Sequence, residues 1–177
     1  MNIPNILTLL RILLTPLFII LLLKKMFSIS LIIFVMLGIT DALDGLIARY
    51  YNQRTLLGAY LDPIADKLLL TSSFIFLSAL RIMPSWLTVI VVSRDIVIIS
   101  GIAILTISNI KFEIKPSIAS KITTFTQLVS VIITLFYPQI TDAYYLKQTF
   151  YWITAVLTIF SGLHYIYMGM TLQRQKN

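Results

Sequence analysis

The chain has 177 residues, of which 58% are hydrophobic and only 12% charged, against about 45–50% and about 25% in ordinary soluble domains. That leaves too little polar side chain to clothe a water-soluble surface, and the same counts exclude a disordered chain. The formal net charge is +7, which in a membrane protein sets topology or faces anionic lipid; no basic helix interleaved with aromatics points to nucleic acid.

Mean hydropathy is +0.92, so the bilayer, at about 20 apolar residues per span, is the appropriate ruler. Cysteine is absent and His164 is the single histidine. A disulfide framework, a thiolate nucleophile and a sulfur- or histidine-based zinc site are thereby excluded. Any chemistry must run on carboxylates, hydroxyls, amides and basic groups.

The first apolar segment covers Asn5–Leu23. Met1–Asn5 carries no basic side chain and no small-residue cleavage site follows Ile12–Leu23, so this segment reads as a retained span. Within it Thr8, Arg11 and Thr15 follow i, i+3, i+7 spacing and form one stripe. Arg11 is too deep for a topology signal alone; it is placed to reach a phosphate, or to snorkel to the interface.

The second and third segments run Leu31–Arg49 and Leu61–Leu80, on either side of the polar run Asn52–Thr55. The fourth, Trp86–Ile107, carries Arg94 and Asp95 in its middle. Neighbours on a helix point about 100° apart, so these two are not expected to pair. Arg94 suits an anionic acceptor, since its fork matches phosphate, and Asp95 is expected to orient a basic neighbour.

The fifth segment, Ile118–Tyr137, opens with Lys121, Thr124 and Gln127 as a stripe. Lys121 either contacts the same acceptor phosphate or sets topology. The sixth, Phe150–Met170, is flanked by Tyr144, Tyr145, Tyr151 and Trp152 in the manner of an aromatic belt. The remaining breaks fall at Lys24-Lys25, Arg81–Pro84, Lys111–Pro116 and Pro138–Asp142.

The pattern predicts an all-α integral membrane protein: six transmembrane helices forming one compact bundle over 1–177, with no internal repeat or long linker. Arg49, Arg54, Lys111, Lys115, Lys121, Arg174 and Lys176 fall on one side, against Lys24, Lys25, Arg81 and Lys147 on the other. That imbalance puts both termini, and the second-to-third connection, in the cytoplasm.

Four of the seven acids, Asp41, Asp44, Asp62 and Asp66, lie in the second and third spans, where a carboxylate costs about 2.5–3.5 kcal/mol on insertion scales. Asp41 and Asp44 share a helical face, as do Asp62 and Asp66. A hairpin through Asn52–Thr55 brings all four to its cytoplasmic end. Asp62 precedes Pro63, which disfavours helical geometry at residue 62, so Asp62 is expected as an N-cap or at a kink.

Four close carboxylates repel and take up protons unless a cation intervenes. All-oxygen ligation suits Mg²⁺ or Mn²⁺, and two such ions about 3.5–4 Å apart organise a phosphoryl displacement. Gly45, Ala48 and Gly58 beside the acids permit close approach of a phosphorylated ligand. Their alternative role is close helix packing.

The segment Asp41-x2-Asp44-Gly45-x2-Ala48-Arg49-x8-Gly58-x3-Asp62-x3-Asp66 resembles the signature of the CDP-alcohol phosphatidyltransferases, with eight fixed residues over 26 positions. Pro4-Asn5-Ile6-Leu7-Thr8-x2-Arg11 and Leu61-Asp62-Pro63-x-Ala65-Asp66-Lys67 extend the likeness. The resemblance implies six transmembrane helices around a polar cavity open to the cytoplasm and inner leaflet of the cell membrane, with a homodimer as the family expectation.

It also implies a reaction. An acceptor hydroxyl attacks the β-phosphorus of CDP-diacylglycerol and CMP leaves. By match to the motif, Asp41, Asp44, Asp62 and Asp66 would hold two divalent ions, Mg²⁺ or Mn²⁺, and Asp66 would be the general base. Gly45, Ala48, Arg49 and Gly58 would line the cytidine diphosphate site, with Asn5, Thr8 and Arg11 contributing to CDP-lipid binding, and Arg94 and Lys121 would meet the acceptor.

The opening residues and the stretch from Asp62 to Lys67 are similar to phosphatidylglycerophosphate synthases, which use glycerol 3-phosphate. Lys115-Pro116 and Ser120-Lys121-x2-Thr124-x2-Gln127 are similar to cardiolipin synthases, which use phosphatidylglycerol; Arg94-Asp95 stands where the former usually have Arg-Glu. Glycerol 3-phosphate is the expected acceptor and phosphatidylglycerol the alternative. A proton- or cation-coupled transporter, the rival of another class, would spread its acids along a path through several helices.

Overall fold

The computed structural model describes residues 3–50, 56–107, 118–136 and 144–174, all helical apart from short turns. Six helices follow in order: α1 (Ile3–Leu23), α2 (Phe27–Tyr50), α3 (Leu56–Ala79), α4 (Ser85–Ile107), α5 (Ile118–Phe136) and α6 (Tyr144–Arg174). No strand occurs among the described residues. The expected breaks at Asn52–Thr55, Lys111–Pro116 and Pro138–Asp142 lie outside them.

Among the described residues, three helices are long and apolar enough to cross a membrane, through Ser85–Ile102, Ile118–Phe136 and Tyr144–Thr171. Leu7–Leu23 and Phe27–Asp41 form shorter apolar stretches in α1 and α2. At 24 residues, α2 is about 36 Å long.

Beside an apolar core, many polar side chains are buried and many apolar ones exposed. Thr8, Arg11, Ser73, Arg94, Gln127, Ser130, Thr154, Thr158 and Ser161 are buried, whereas Leu13, Met36, Val89, Phe125, Val156 and Leu163 are exposed. Apolar side chains outward and hydroxyls inward is the arrangement a lipid solvent selects. The chain is a membrane protein. Of the expected aromatic belt, Tyr144, Tyr145 and Trp152 are exposed, while Tyr151 is buried.

The chain forms two compact units. One holds α1, α2, α3 and the last residues of α5; the other holds α4, the rest of α5 and α6. In the first unit α1 packs on both α2 and α3, around Phe18, Leu22, Phe34, Leu37, Leu69, Phe74 and Leu77. Phe18 and Phe34 meet with ring centroids 5.7 Å apart.

The breaks at Lys24-Lys25 and Arg81 are built alike. Lys25 and Arg81 adopt left-handed φ angles of 57° and 58°. The Lys25 amide donates to the Leu22 carbonyl and the Met26 amide to Leu21. Arg81 donates to Ser78 and Ile82 to Leu77 in the same way. This is the Schellman closure, which satisfies the last carbonyls of a helix; a basic residue there also complements the negative end of the helix dipole.

Of the two alternatives for Asp62, the N-cap fails. The α3 backbone is helical from Leu56 and runs through Asp62 and Pro63, so Asp62 is not an N-cap. Proline removes one amide, here the donor to the Ala59 carbonyl, a loss that helices in membranes tolerate. α1 likewise runs through Pro16, where the Thr15 hydroxyl donates to the Arg11 carbonyl at 2.8 Å.

In the second unit α4 packs on α6, with Trp86 and Trp152 centroids 4.9 Å apart. α5 and α6 are joined by a polar seam. Ser130 and Thr154 hydroxyls lie 2.8 Å apart, Gln127 donates to Thr158 at 3.3 Å, and Thr123 donates to the Leu157 carbonyl at 3.1 Å.

Candidate functional site

The first unit has its charged centre where three helices meet. Arg11 comes from α1, Asp41 from α2 and Asp66 from α3. The Arg11 side chain is 1% exposed, while those of Asp41 and Asp66 are 41% and 40% exposed. Its Nη1 lies 2.8 Å from Asp41 Oδ1 and also donates to Asp66 Oδ1. One nitrogen thus holds oxygens of two carboxylates from two different helices.

The α1 stripe is as expected, since Thr8, Arg11 and Thr15 are all buried. The partner of Arg11 is not. The sequence directs it to a phosphate, and the structure pairs it with two of the four acids. A guanidinium taken out of water needs a counter-charge, and these carboxylates supply it.

The side chains of Asn5, Asp44, Gly45, Ala48, Arg49, Gly58 and Asp62 lie outside the described residues. Among the described residues no group of three potential metal ligands occurs. The two acids that are described fit a hard divalent ion in donor type. Their oxygens converge on one cationic atom and their outer faces are open, whereas an ion bridging two such oxygens at about 2.0–2.1 Å would need them no more than about 4 Å apart.

The second unit has a separate buried cation. Arg94 Nη1 donates to Asp95 Oδ1 at 2.9 Å. Nη2 donates to Ser120 Oγ at 2.7 Å and to Ser161 Oγ at 2.9 Å. The Tyr165 ring centroid lies 5.9 Å from the guanidinium carbon, and the buried Nε has no hydrogen-bond partner among the described residues. Arg94 therefore ties α4 to α5 and α6.

Two expectations are corrected here. Arg94 and Asp95 do pair, because a long side chain can fold back across the 100° between neighbouring positions. The expected stripe Lys121–Thr124–Gln127 is also not one face: Lys121 is exposed, Thr124 half-buried and Gln127 buried. The residue of α5 that meets Arg94 is Ser120. Ser161 was missed entirely, although Thr154, Thr158 and Ser161 follow the i, i+4, i+7 spacing of a single helix face.

Residues 1–160 match the family model described as CDP-alcohol phosphatidyltransferase. The human protein named "Cardiolipin synthase (CMP-forming)" is 34% identical over 186 residues, covering 95% of this chain and 62% of that protein. A "Probable phosphatidylglycerophosphate synthase" of Mycobacterium tuberculosis is 35% identical over 173 residues, covering 93% of this chain and 80% of its own. The "CDP-diacylglycerol--glycerol-3-phosphate 3-phosphatidyltransferase" of Aquifex aeolicus is 39% identical over 127 residues, covering 70% of each. The chain spans about three-fifths of the length of the human and rat cardiolipin synthases it matches.

Proposed function

We propose, for a chain that belongs to the CDP-alcohol phosphatidyltransferase family, that it transfers a phosphatidyl group from CDP-diacylglycerol to glycerol 3-phosphate and releases CMP. The observation that carries this reading is the meeting of Asp41 and Asp66, the first and last acids of the motif, on one buried cation. Carboxylates gathered this way at membrane depth are costly unless they have work to do.

In this reading Asp41, Asp44, Asp62 and Asp66 hold two divalent ions, Mg²⁺ or Mn²⁺, which when bound neutralise charge on the pyrophosphate. Gly45, Ala48, Arg49 and Gly58 line the cytidine diphosphate site, and Asn5, Thr8 and Arg11 approach the donor from α1. The acceptor hydroxyl forms a new bond to the β-phosphorus as the bond from that phosphorus to the CMP oxygen breaks. Asp66 takes the hydroxyl proton, and CMP carries away the electron pair.

Arg94 is assigned to the acceptor phosphate, with Lys121 as the outer contact. Its support is a buried guanidinium with a donor still unused at Nε. The whole chain would act as one membrane domain of six spans, with both termini and the site facing the cytoplasm.

The second reading is a cardiolipin synthase using phosphatidylglycerol. Relatives bearing the two names are similar to this chain to nearly the same degree, at 34% and 35% identity. The likeness of the opening residues and of the stretch from Asp62 to Lys67 to phosphatidylglycerophosphate synthases supports the first. Labelled glycerol 3-phosphate and labelled phosphatidylglycerol, offered separately with CDP-diacylglycerol and Mn²⁺, decide between them. Label from glycerol 3-phosphate passing into extractable lipid is expected; conversion of phosphatidylglycerol alone would replace the first reading with the second.

A further inference from the structure

We propose that Arg11 is a stand-in cation: it holds Asp41 and Asp66 together until a divalent ion displaces it, and the released guanidinium then binds the donor's phosphate. This rests on the reading of those two acids as metal ligands. It adds a role for Arg11 in controlling when metal and donor bind.

The argument starts from charge. Two carboxylate oxygens within reach of one nitrogen repel each other, and a positive charge between them offsets that repulsion. Arg11 provides it at Nη1, 2.8 Å from Asp41 Oδ1 and hydrogen-bonded to Asp66 Oδ1. Each carboxylate keeps a second oxygen, but an ion that bridges through the two Oδ1 atoms takes the place of Nη1, and a hard divalent cation brings twice the charge of a guanidinium to it.

Displacement then has a consequence. Arg11 is 1% exposed, so once its carboxylates are taken it is a buried cation that needs another anion. A pyrophosphate bound beside the metal ions is such an anion, and guanidinium matches phosphate oxygens in geometry. Metal binding thus prepares Arg11 for the donor, and donor binding keeps Arg11 off the carboxylates. By linkage each ligand tightens the other by the same factor.

The test is Mn²⁺ binding to the full chain in detergent without donor, followed by electron paramagnetic resonance of free Mn²⁺. Removing the competitor should tighten binding, so Arg11→Gln is expected to bind Mn²⁺ about tenfold more strongly than wild type, within the usual span of such couplings. Arg11→Lys, which keeps the charge, should stay close to wild type. Lys24→Gln removes an equal charge about 20 Å further along the helix axis and should change nothing.

Arg11→Gln should also melt lower than wild type in EDTA and gain more from added Mn²⁺, which keeps the test usable if the variant is fragile without metal. Unchanged or weaker Mn²⁺ binding in Arg11→Gln would overturn the proposal, as would equal tightening in Lys24→Gln. No saturable Mn²⁺ binding in wild type or any variant would instead overturn the metal-site reading on which it rests.

Discussion

Asp41 and Asp66, on different helices and 25 positions apart in the sequence, meet on the same cationic nitrogen, the Nη1 atom of Arg11. The arrangement joins a stability problem to a functional one. The buried guanidinium needs the carboxylates, the carboxylates need a cation, and their outer faces remain about two-fifths exposed to anything that enters from outside.

Asp66→Asn should abolish turnover, while CDP-lipid binding in the presence of metal falls no further than in Asp41→Asn, since Asp66 belongs to the same expected ligand set. The amide oxygen still accepts from Arg11, so the three helices keep their junction, but an amide takes no proton from the acceptor hydroxyl. Turnover and equilibrium donor binding, measured on the same preparation, check this; unimpaired turnover would remove Asp66 as the base.

Asp41→Asn and Asp44→Asn should each weaken Mn²⁺ and CDP-lipid binding together, by about tenfold or more, since each removes a charged oxygen from the expected ligand set. Calorimetric titration of metal and donor reads both. Normal donor affinity in both variants would count against the four-carboxylate metal site.

Ser161→Ala removes one of the two hydroxyls that accept from Arg94 Nη2. It should cost about 1 kcal/mol of stability and raise KM for the acceptor several-fold, with a smaller change in kcat. Ser161→Thr, which restores a hydroxyl, should recover most of the KM. A fall in kcat alone would mean that Arg94 does not meet the acceptor.

Lys25→Gly and Arg81→Gly should each stabilise the chain by about 0.5–1 kcal/mol. Both residues sit at left-handed φ, where a Cβ is strained and glycine is not. Thermal unfolding in detergent would show this as a small rise in Tm for either variant.

Much of the fold was legible because lipid imposes long apolar runs, and each of the six segments read from the sequence contains a helix. The ends were not. α2 begins at Phe27 where Leu31 was expected, and α3 at Leu56 where Leu61 was expected. α6 runs Tyr144–Arg174, beyond its apolar part, because backbone hydrogen bonding continues where hydropathy stops. At α3 the backbone is already helical ahead of Asp62 and Pro63, where apolar patterning did not reach.

The site was legible as residue types and less so as pairings. Intramembrane acids and arginines announce themselves by their cost, which is how Arg11, Asp41, Asp66 and Arg94 were found. Arg11 and Asp66 are 55 positions apart, and nothing local in the sequence joins them. The Arg94–Asp95 pair was missed by reasoning from Cβ directions alone. Ser120 and Ser161 were missed because a hydroxyl in an apolar helix carries little cost by itself and gains meaning only from the guanidinium it meets.

The most direct test of the central claim is CMP release from CDP-diacylglycerol by the purified chain with glycerol 3-phosphate, with Mn²⁺ and with EDTA in its place. The account predicts CMP in step with new phospholipid, dependent on the divalent ion and lost in Asp66→Asn. Folded, CDP-lipid-binding protein that releases no CMP with either glycerol 3-phosphate or phosphatidylglycerol would contradict it, as would release that survives both EDTA and Asp66→Asn.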